Sequence, residues 1–365
     1  MMTHKRWLED GLCSKRTTPI LVSLICLLIL FSCDNLAKDS KSQQQKKIQL
    51  TSIDKELIDE ALSYCRPIPI KFNSAKETIK TQAKISLGKK LFFEPRLSLD
   101  GQQSCNSCHQ LSTYGVNRSA QSRGHGVYPI RRNVPTVFNS SLHLAQNWDG
   151  RISSLENQAM ELILTPGVSL VEGQSTILKR IQSIPDYQKA FEQAFPERNG
   201  EISLKNIGQA IASFERTLLT PAPFDSFLRG EASALSNKQK EGLRLVMNYG
   251  CIACHGGPSF GGGMFQKFGL LQPYSNTQDM GRYHITKQEE DKFVFKVPSL
   301  RNIAKTAPYF HDGKTISLKD AIKTMDKYQL GQNLSPETIE KIGAFLESLT
   351  GKIPESVLIP PALPK

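Results

Sequence analysis

Two short runs in this 365-residue chain place a pair of thiols and an imidazole at fixed spacing: Cys105-Asn106-Ser107-Cys108-His109 and Cys251-Ile252-Ala253-Cys254-His255. Two Cys separated by two residues can add to the two vinyl groups of one haem, and the His that follows is placed to ligate its iron. A dithiol redox motif would need a thioredoxin-like strand context, which the neighbouring residues lack. A zinc site brings its Cys pairs within about 15 to 20 residues of each other, whereas these runs begin 146 residues apart. They read as two covalent haem attachment sites, with His109 and His255 as proximal ligands. What the irons then do depends on the opposite face. Met opposite His raises a haem's potential, a second His lowers it, and a displaceable ligand admits peroxide or oxygen. The candidates are His125, His143, His284, His311 and several Met, and spacing alone does not choose among them.

An apolar run from Thr17 to Cys33 follows basic residues and meets Asp34 at once, which predicts an export signal. Its centre is short for a membrane span, and Leu30-Phe31-Ser32-Cys33 resembles a lipobox in which Cys33 takes a lipid and becomes the new N-terminus. Cleavage without a lipid, or an uncleaved anchor, would equally put the body outside the cytoplasm, where covalent haem attachment takes place. Residues 34–50 are polar and suit a flexible tether. Of eight Cys, three fall in the leader or at its end, and Cys65 is left over from the two pairs; this odd count argues against a pure disulfide framework, and Cys65 is expected as a buried, inert thiol. The formal charge is +12. It fits a solvated Lys surface or attraction to an acidic partner or an anionic membrane, and no recognition motif points to nucleic acid.

The elements that must position the two pentads read as helices. Ser203 caps a stripe of Ile207, Ile211, Phe214 and Leu218, and Ser335 with Pro336 opens another of Ile339, Ile342, Leu346 and Leu349. Alternating strands are scarce, and Pro and Gly cluster at 95–101, 124–135, 256–263 and 351–364 as loops and an irregular tail. Each half carries an apolar helical segment ahead of its pentad, Leu87 with Leu91 and Leu243 with Met247, which predicts two small helical modules divided near Pro221–Ala234.

The segment Leu87-Gly88-Lys89-Lys90-Leu91-Phe92-Phe93-Glu94-Pro95-Arg96-Leu97-Ser98 resembles the opening of bacterial di-haem cytochrome c peroxidases, a family that includes the MauG-type enzymes. The similarity continues through Arg132–Thr136, Asn147–Arg151, Gly262–Gly269 and Pro298–Asn302 to Ala307–Gly313, and spans about residues 85–350 in the family's order. It implies an all-α fold of two c-type cytochrome modules with long loops, their haems facing a shared interface. The implied organisation is a lipoprotein-type signal peptide at 1–32, a tether and N-terminal extension at 33–75, a peroxidatic haem c domain at 76–225, an electron-transferring haem c domain at 226–350 and a tail at 351–365. The resemblance makes His125 the displaceable distal ligand of the first haem and Met325 the distal ligand of the second, high-potential one. It places Trp148 between the haems, Gln158 in the peroxide pocket, and Asn133 with the carbonyls of Thr306 and Pro308 around a calcium ion.

The function so implied is reduction of hydrogen peroxide to water in the periplasm, with electrons from a small cytochrome c or cupredoxin, and a homodimer is one possible assembly. One position departs from the pattern. Family members carry an acid/base Glu two residues after a Pro, and here Thr165-Pro166-Gly167-Val168 puts Val168 there. A positioned acid/base contributes about 10² to 10⁴ in rate, so Glu172 or Glu161 would have to substitute. The alternatives are MauG-like oxidation of a partner protein or other substrate through high-valent haem, or electron transfer alone.

Overall fold

Ser, Thr and Pro at helix starts alternate along the chain with Gly- and Pro-rich breaks, and this punctuation yields short helices joined by long loops. The computed structural model describes residues 51–69, 79–98, 100–120, 132–164 and 171–365. The expected signal peptide, Cys33 and the tether lie outside them. The helices are α1 (Ser52–Tyr64), α2 (Ile79–Phe92), α3 (Cys105–Cys108), α4 (Leu155–Leu164), α5 (Val171–Gln182), α6 (Pro185–Ala194) and α7 (Leu204–Glu215). They continue with α8 (Pro223–Leu228), α9 (Asn237–Asn248), α10 (Cys251–Cys254), α11 (Tyr283–Thr286), α12 (Leu318–Met325), α13 (Pro336–Glu347) and α14 (Glu355–Leu358). The one sheet among the described residues is an antiparallel ribbon of β1 (Phe265–Lys267) and β2 (Val294–Lys296), with Phe265 opposite Lys296 and Lys267 opposite Val294. The fold is otherwise helix and loop, as the all-α reading requires.

Both expected caps form. The Ser203 hydroxyl accepts from the Asn206 amide at the start of α7, and that of Ser335 accepts from Thr338 at the start of α13. The apolar stripes they open are buried, and they belong to two separate cores. The first core gathers Leu87, Leu91 and Phe92 of α2, Tyr187 and Phe191 of α6, and Ile207, Ala210 and Phe214 of α7. The second gathers Phe224 and Phe227 of α8, Leu243 and Val246 of α9, and Ile339, Ile342 and Phe345 of α13. Each such side chain, fully buried, stabilises by about 1.5–3 kcal/mol relative to exposure.

The two cores share a construction. In each, the helix that precedes the pentad crosses a later helix at a glycine. A Cβ on Gly88 would stand 1.8 Å from the Ala210 carbonyl oxygen, and one on Gly242 would stand 2.0 Å from that of Lys341. No other residue allows backbones this close, so glycine fixes both crossings. The termini then change sides. Helix α1 packs on the second core through Leu57, Ile58 and Ala61, joined by Cys65 just past its end, so this part of the expected N-terminal extension is core. The C-terminal tail returns to the first core through Val357 and Ile353, where Arg96 Nη2 donates to the Pro364 carbonyl at 2.8 Å. Cys65 is buried, and loss of water pushes its thiol up to about 12, as expected of an inert residue. No helix among the described residues is long and apolar enough to cross a membrane.

Candidate functional site

Each pentad forms one helical turn, α3 and α10, with its His just after the turn. The His109 amide donates to the Cys105 carbonyl and the His255 amide to that of Cys251, both at 2.9 Å, so thiols and imidazole are held on a single compact loop. The turn entries differ: Ser107 Oγ accepts from the Ser104 amide at 3.0 Å in one, while Gly250, at φ 78°, supplies a left-handed residue in the other. The imidazoles are held alike. His109 Nδ1 lies 3.3 Å from the Gly115 carbonyl and His255 Nδ1 lies 3.2 Å from that of Pro298. A proton on Nδ1 donated to that carbonyl leaves the Nε2 lone pair for a metal. Loss of water lowers the pKa of both rings, that of His255 to about 4, so both are neutral near pH 7.

Burial also pushes the Cys105 thiol up to about 12 and that of Cys251 up to about 11. Among the described residues, no group of three or more His, Cys, Asp or Glu is arranged to hold a metal ion.

A cavity of about 410 Å³ opens beside the second pentad. Cys251, Cys254 and His255 line it together with Leu318, Ile322, Leu346 and Met325. Met325 ends α12, and the chain then makes a π-helical turn from Asp326 to Leu330, a geometry that recurs at functional sites. The Asp326 carboxylate accepts from the amides of Gln332 at 2.9 Å and Leu334 at 2.8 Å, which fixes the turn behind Met325. Met280 is not among the lining residues; its amide donates to His284 Nε2 at 3.0 Å.

Trp148, Asn133, Thr306 and Pro308 line the same cavity. The Trp148 indole N–H donates to the Asn133 carbonyl at 2.8 Å, and its ring meets that of His311 edge-on at 6.3 Å. His311 is stacked on Phe295 at 4.3 Å, and its buried Nε2 has no hydrogen-bond partner. Asn133 is buried and donates its side-chain amide to the carbonyls of Pro308 at 2.5 Å and Phe310 at 3.2 Å. The structure thus brings together Met325, Trp148, Asn133, Thr306 and Pro308 around the second pentad.

Gln158 sits on α4 with its Oε1 buried and without a partner. His125, Val168 and the Glu172 side chain lie outside the described residues. Glu161 accepts from Arg151 Nε at 2.7 Å and from Asn147 Nδ2 at 3.0 Å, so its carboxylate is already engaged by neighbouring side chains.

Three groups escaped the sequence reading. Glu215, at the end of α7, has a buried Oε2 without a partner, and burial pushes its carboxyl up to about 8 beside Cys105. Lys296 and His143 line the cavity; the buried His143 Nε2 has no hydrogen-bond partner, and burial alone acts on the Lys296 ammonium. A lone Lys or His in a sequence carries no sign of such burial. A second repeat was legible. Val134-Pro135-Thr136-Val137-Phe138-Asn139 parallels Val297-Pro298-Ser299-Leu300-Arg301-Asn302, and each run places its Pro carbonyl against a pentad imidazole and its Asn at φ 61°.

Residues 82–233 match the family model described as di-haem cytochrome c peroxidase. Over 306 residues the chain is 42% identical to the cytochrome c551 peroxidase of Pseudomonas aeruginosa, covering 82% of this chain and 87% of that protein. It is 33% identical over 295 residues to the methylamine utilization protein MauG of Methylorubrum extorquens, covering 77% and 81%. Among solved structures it is similar to a MauG-like protein associated with microbial copper homeostasis, at a TM-score of 0.67 and 26% identity, covering 81% of this chain and 95% of that one.

Proposed function

The chain belongs to the di-haem cytochrome c peroxidase family, and from that premise we propose that it reduces hydrogen peroxide to water with electrons from a small cytochrome c or cupredoxin. The observation that carries this is the pair of pentads, each with a neutral imidazole whose Nδ1 faces a backbone carbonyl. Cys105 with Cys108 and Cys251 with Cys254 hold two haem groups, and His109 and His255 are their iron ligands. When bound, these groups supply single-electron transfer and an iron on which the peroxide O–O bond is broken.

The chain's own residues set potential, access and proton supply. Met325 lines the cavity beside the second pentad and would offer its iron a soft thioether, which favours the ferrous state. His125 is the displaceable ligand that guards the first site. Trp148, fixed through its indole N–H, stands where electrons pass between the sites. The partnerless Gln158 Oε1 is available to accept a hydrogen bond from bound peroxide. Leu270 is more than half exposed yet lines the cavity, and with exposed Leu271 it offers an apolar landing for a donor, while the basic surface favours an acidic one.

The finer assignments follow the same reading. The two modules occupy 76–225 and 226–350. Asn133 Oδ1, once its amide is turned over, would hold calcium together with the carbonyls of Thr306 and Pro308, and oxygen ligands completed by water are what calcium accepts. The body lies in the periplasm, tethered by a lipid on Cys33, and a homodimer is its assembly. Val168 favours one second reading, in which the first site oxidises a partner protein slowly instead of turning over peroxide rapidly.

The test is peroxide-dependent oxidation of a reduced small cytochrome c. Two donor equivalents are consumed per peroxide, with two protons, to give two waters. A protein that holds both haems and oxidises no donor overturns the proposal, and oxidation of a partner protein in its place establishes the second reading.

A further inference from the structure

Lys296 is the last residue of β2 and only 7% exposed. Among the described residues it is the single formally charged side chain lining the cavity, whose lining includes no Asp, Glu or Arg. Its amide is tied to the Trp148 carbonyl at 2.8 Å, which fixes the strand, and burial is the only influence on its ammonium, with no hydrogen-bond or ion-pair partner among the described residues. An unpaired buried ammonium is strongly disfavoured, and folded chains keep one only where a counter-charge is supplied. A second donor waits in the same cavity: His143 Nε2 is buried and partnerless, and its ring is pressed against Gly262, where a Cβ would stand 2.4 Å from it.

The rest of the lining is mostly apolar side chains, with Cys251, Cys254 and His255 on one side and Met325 on another. A cavity that is apolar around its metal-binding residues and carries one bare cation matches a flat apolar macrocycle that bears carboxylates at its edge. We propose that Lys296, with His143 beside it, is the seat for the propionate carboxylates of the haem held by Cys251, Cys254 and His255, and that its charge helps to keep this haem at high potential. The inference rests on the proposed two-haem reading. Burial lowers the Lys296 pKa to about 8, and pairing with a carboxylate would reverse that. The sign of the effect follows from charge. The ferric state carries one positive charge more than the ferrous state, so loss of the cation leaves the carboxylate uncompensated and favours ferric iron.

The experiment is redox titration of the full chain, matured with haem, as wild type, Lys296→Met and Lys296→Arg. At a fixed poise near the wild-type midpoint, Lys296→Met lowers the ferrous-to-ferric ratio of the high-potential haem at least about tenfold, which is about 59 mV for one electron, while Lys296→Arg keeps the ratio within about threefold. No change in Lys296→Met, or equal falls in both variants, overturns the proposal, because a packing role would not follow charge. If Lys296→Met does not mature, Lys296→Gln replaces it, and loss of the second haem in Gln but not in Arg also supports the seat. Loss in both contradicts it. Titrating the wild type with chloride and phosphate should leave the potential unmoved, whereas a saturable shift would assign Lys296 to a free anion and overturn the proposal. A wild type that lacks a second haem by intact mass would instead sink the two-haem reading, so the two failures are distinguishable.

Discussion

Met325 ends α12 against the cavity that Cys251, Cys254 and His255 also line, with the Asp326-braced π turn behind it. Replacing it by His should lower the potential of the second haem, because imidazole stabilises ferrous iron less than a thioether does. Redox titration reads this, and an unchanged high-potential wave would mean that another residue is the ligand. Glu215 allows a pH prediction. Its folded pKa of about 8 lies above the ordinary carboxyl value of 4.5, so the folded state keeps a proton that the unfolded state has released. The associated stability is full below 4.5 and is lost as pH rises toward 8. Glu215→Gln should therefore melt higher than the parent at pH 8.5 and match it at pH 5, and the same difference at both pH values would contradict the assignment. The pentads were legible because Cys and His at that spacing have few other uses. Glu215, Lys296 and His143 were not, because their chemistry comes from what surrounds them in space.

At the scale of elements, the helices of both cores announced themselves by cap and stripe, as α7 after Ser203 and α13 after Ser335 show. The crossings were not announced, since a glycine in a helical pattern does not reveal the backbone it touches. Gly88→Ala should destabilise by about 3 kcal/mol or more, because its Cβ meets the Ala210 carbonyl rather than a side chain that can yield. Gly263→Ala is the control. Nothing lies within 4 Å of its would-be Cβ, and thermal melting should show little change. The Phe93-Glu94-Pro95-Arg96 run has a structural explanation as well. Glu94 is buried, accepts from Arg96 Nε at 2.6 Å and from the Tyr187 hydroxyl at 2.7 Å, and Arg96 in turn holds the tail at Pro364.

At the scale of the whole molecule, one polar knot links segments far apart in the chain. The Thr220 hydroxyl accepts from Asn139 Nδ2 at 2.9 Å and from Asn302 Nδ2 at 2.8 Å, and Asn302 Oδ1 accepts from the Gly351 amide at 3.0 Å. Close by in sequence, Arg301 and Asp225 form a fully buried pair at 2.7 and 2.9 Å, and Asp225 also accepts from the amides of Ile68 and Ala222. Arg301→Met would strand the Asp225 charge and should cost about 3–5 kcal/mol, read as a fall in denaturation midpoint with little change in the haem spectra. This joining was hidden in the sequence, because the partners of Thr220 lie 81 residues before it and 82 after it. The central claim is that the two attachment sites cooperate in peroxide reduction, with Met325 serving the donor side and His125 the peroxide side. Rapid mixing of the half-reduced, two-haem protein with one equivalent of hydrogen peroxide tests it most directly. The account predicts peroxide consumed within the mixing experiment, with the high-potential haem giving up one of the two electrons in step and the first haem supplying the other. Peroxide left intact while the high-potential haem stays reduced would contradict it.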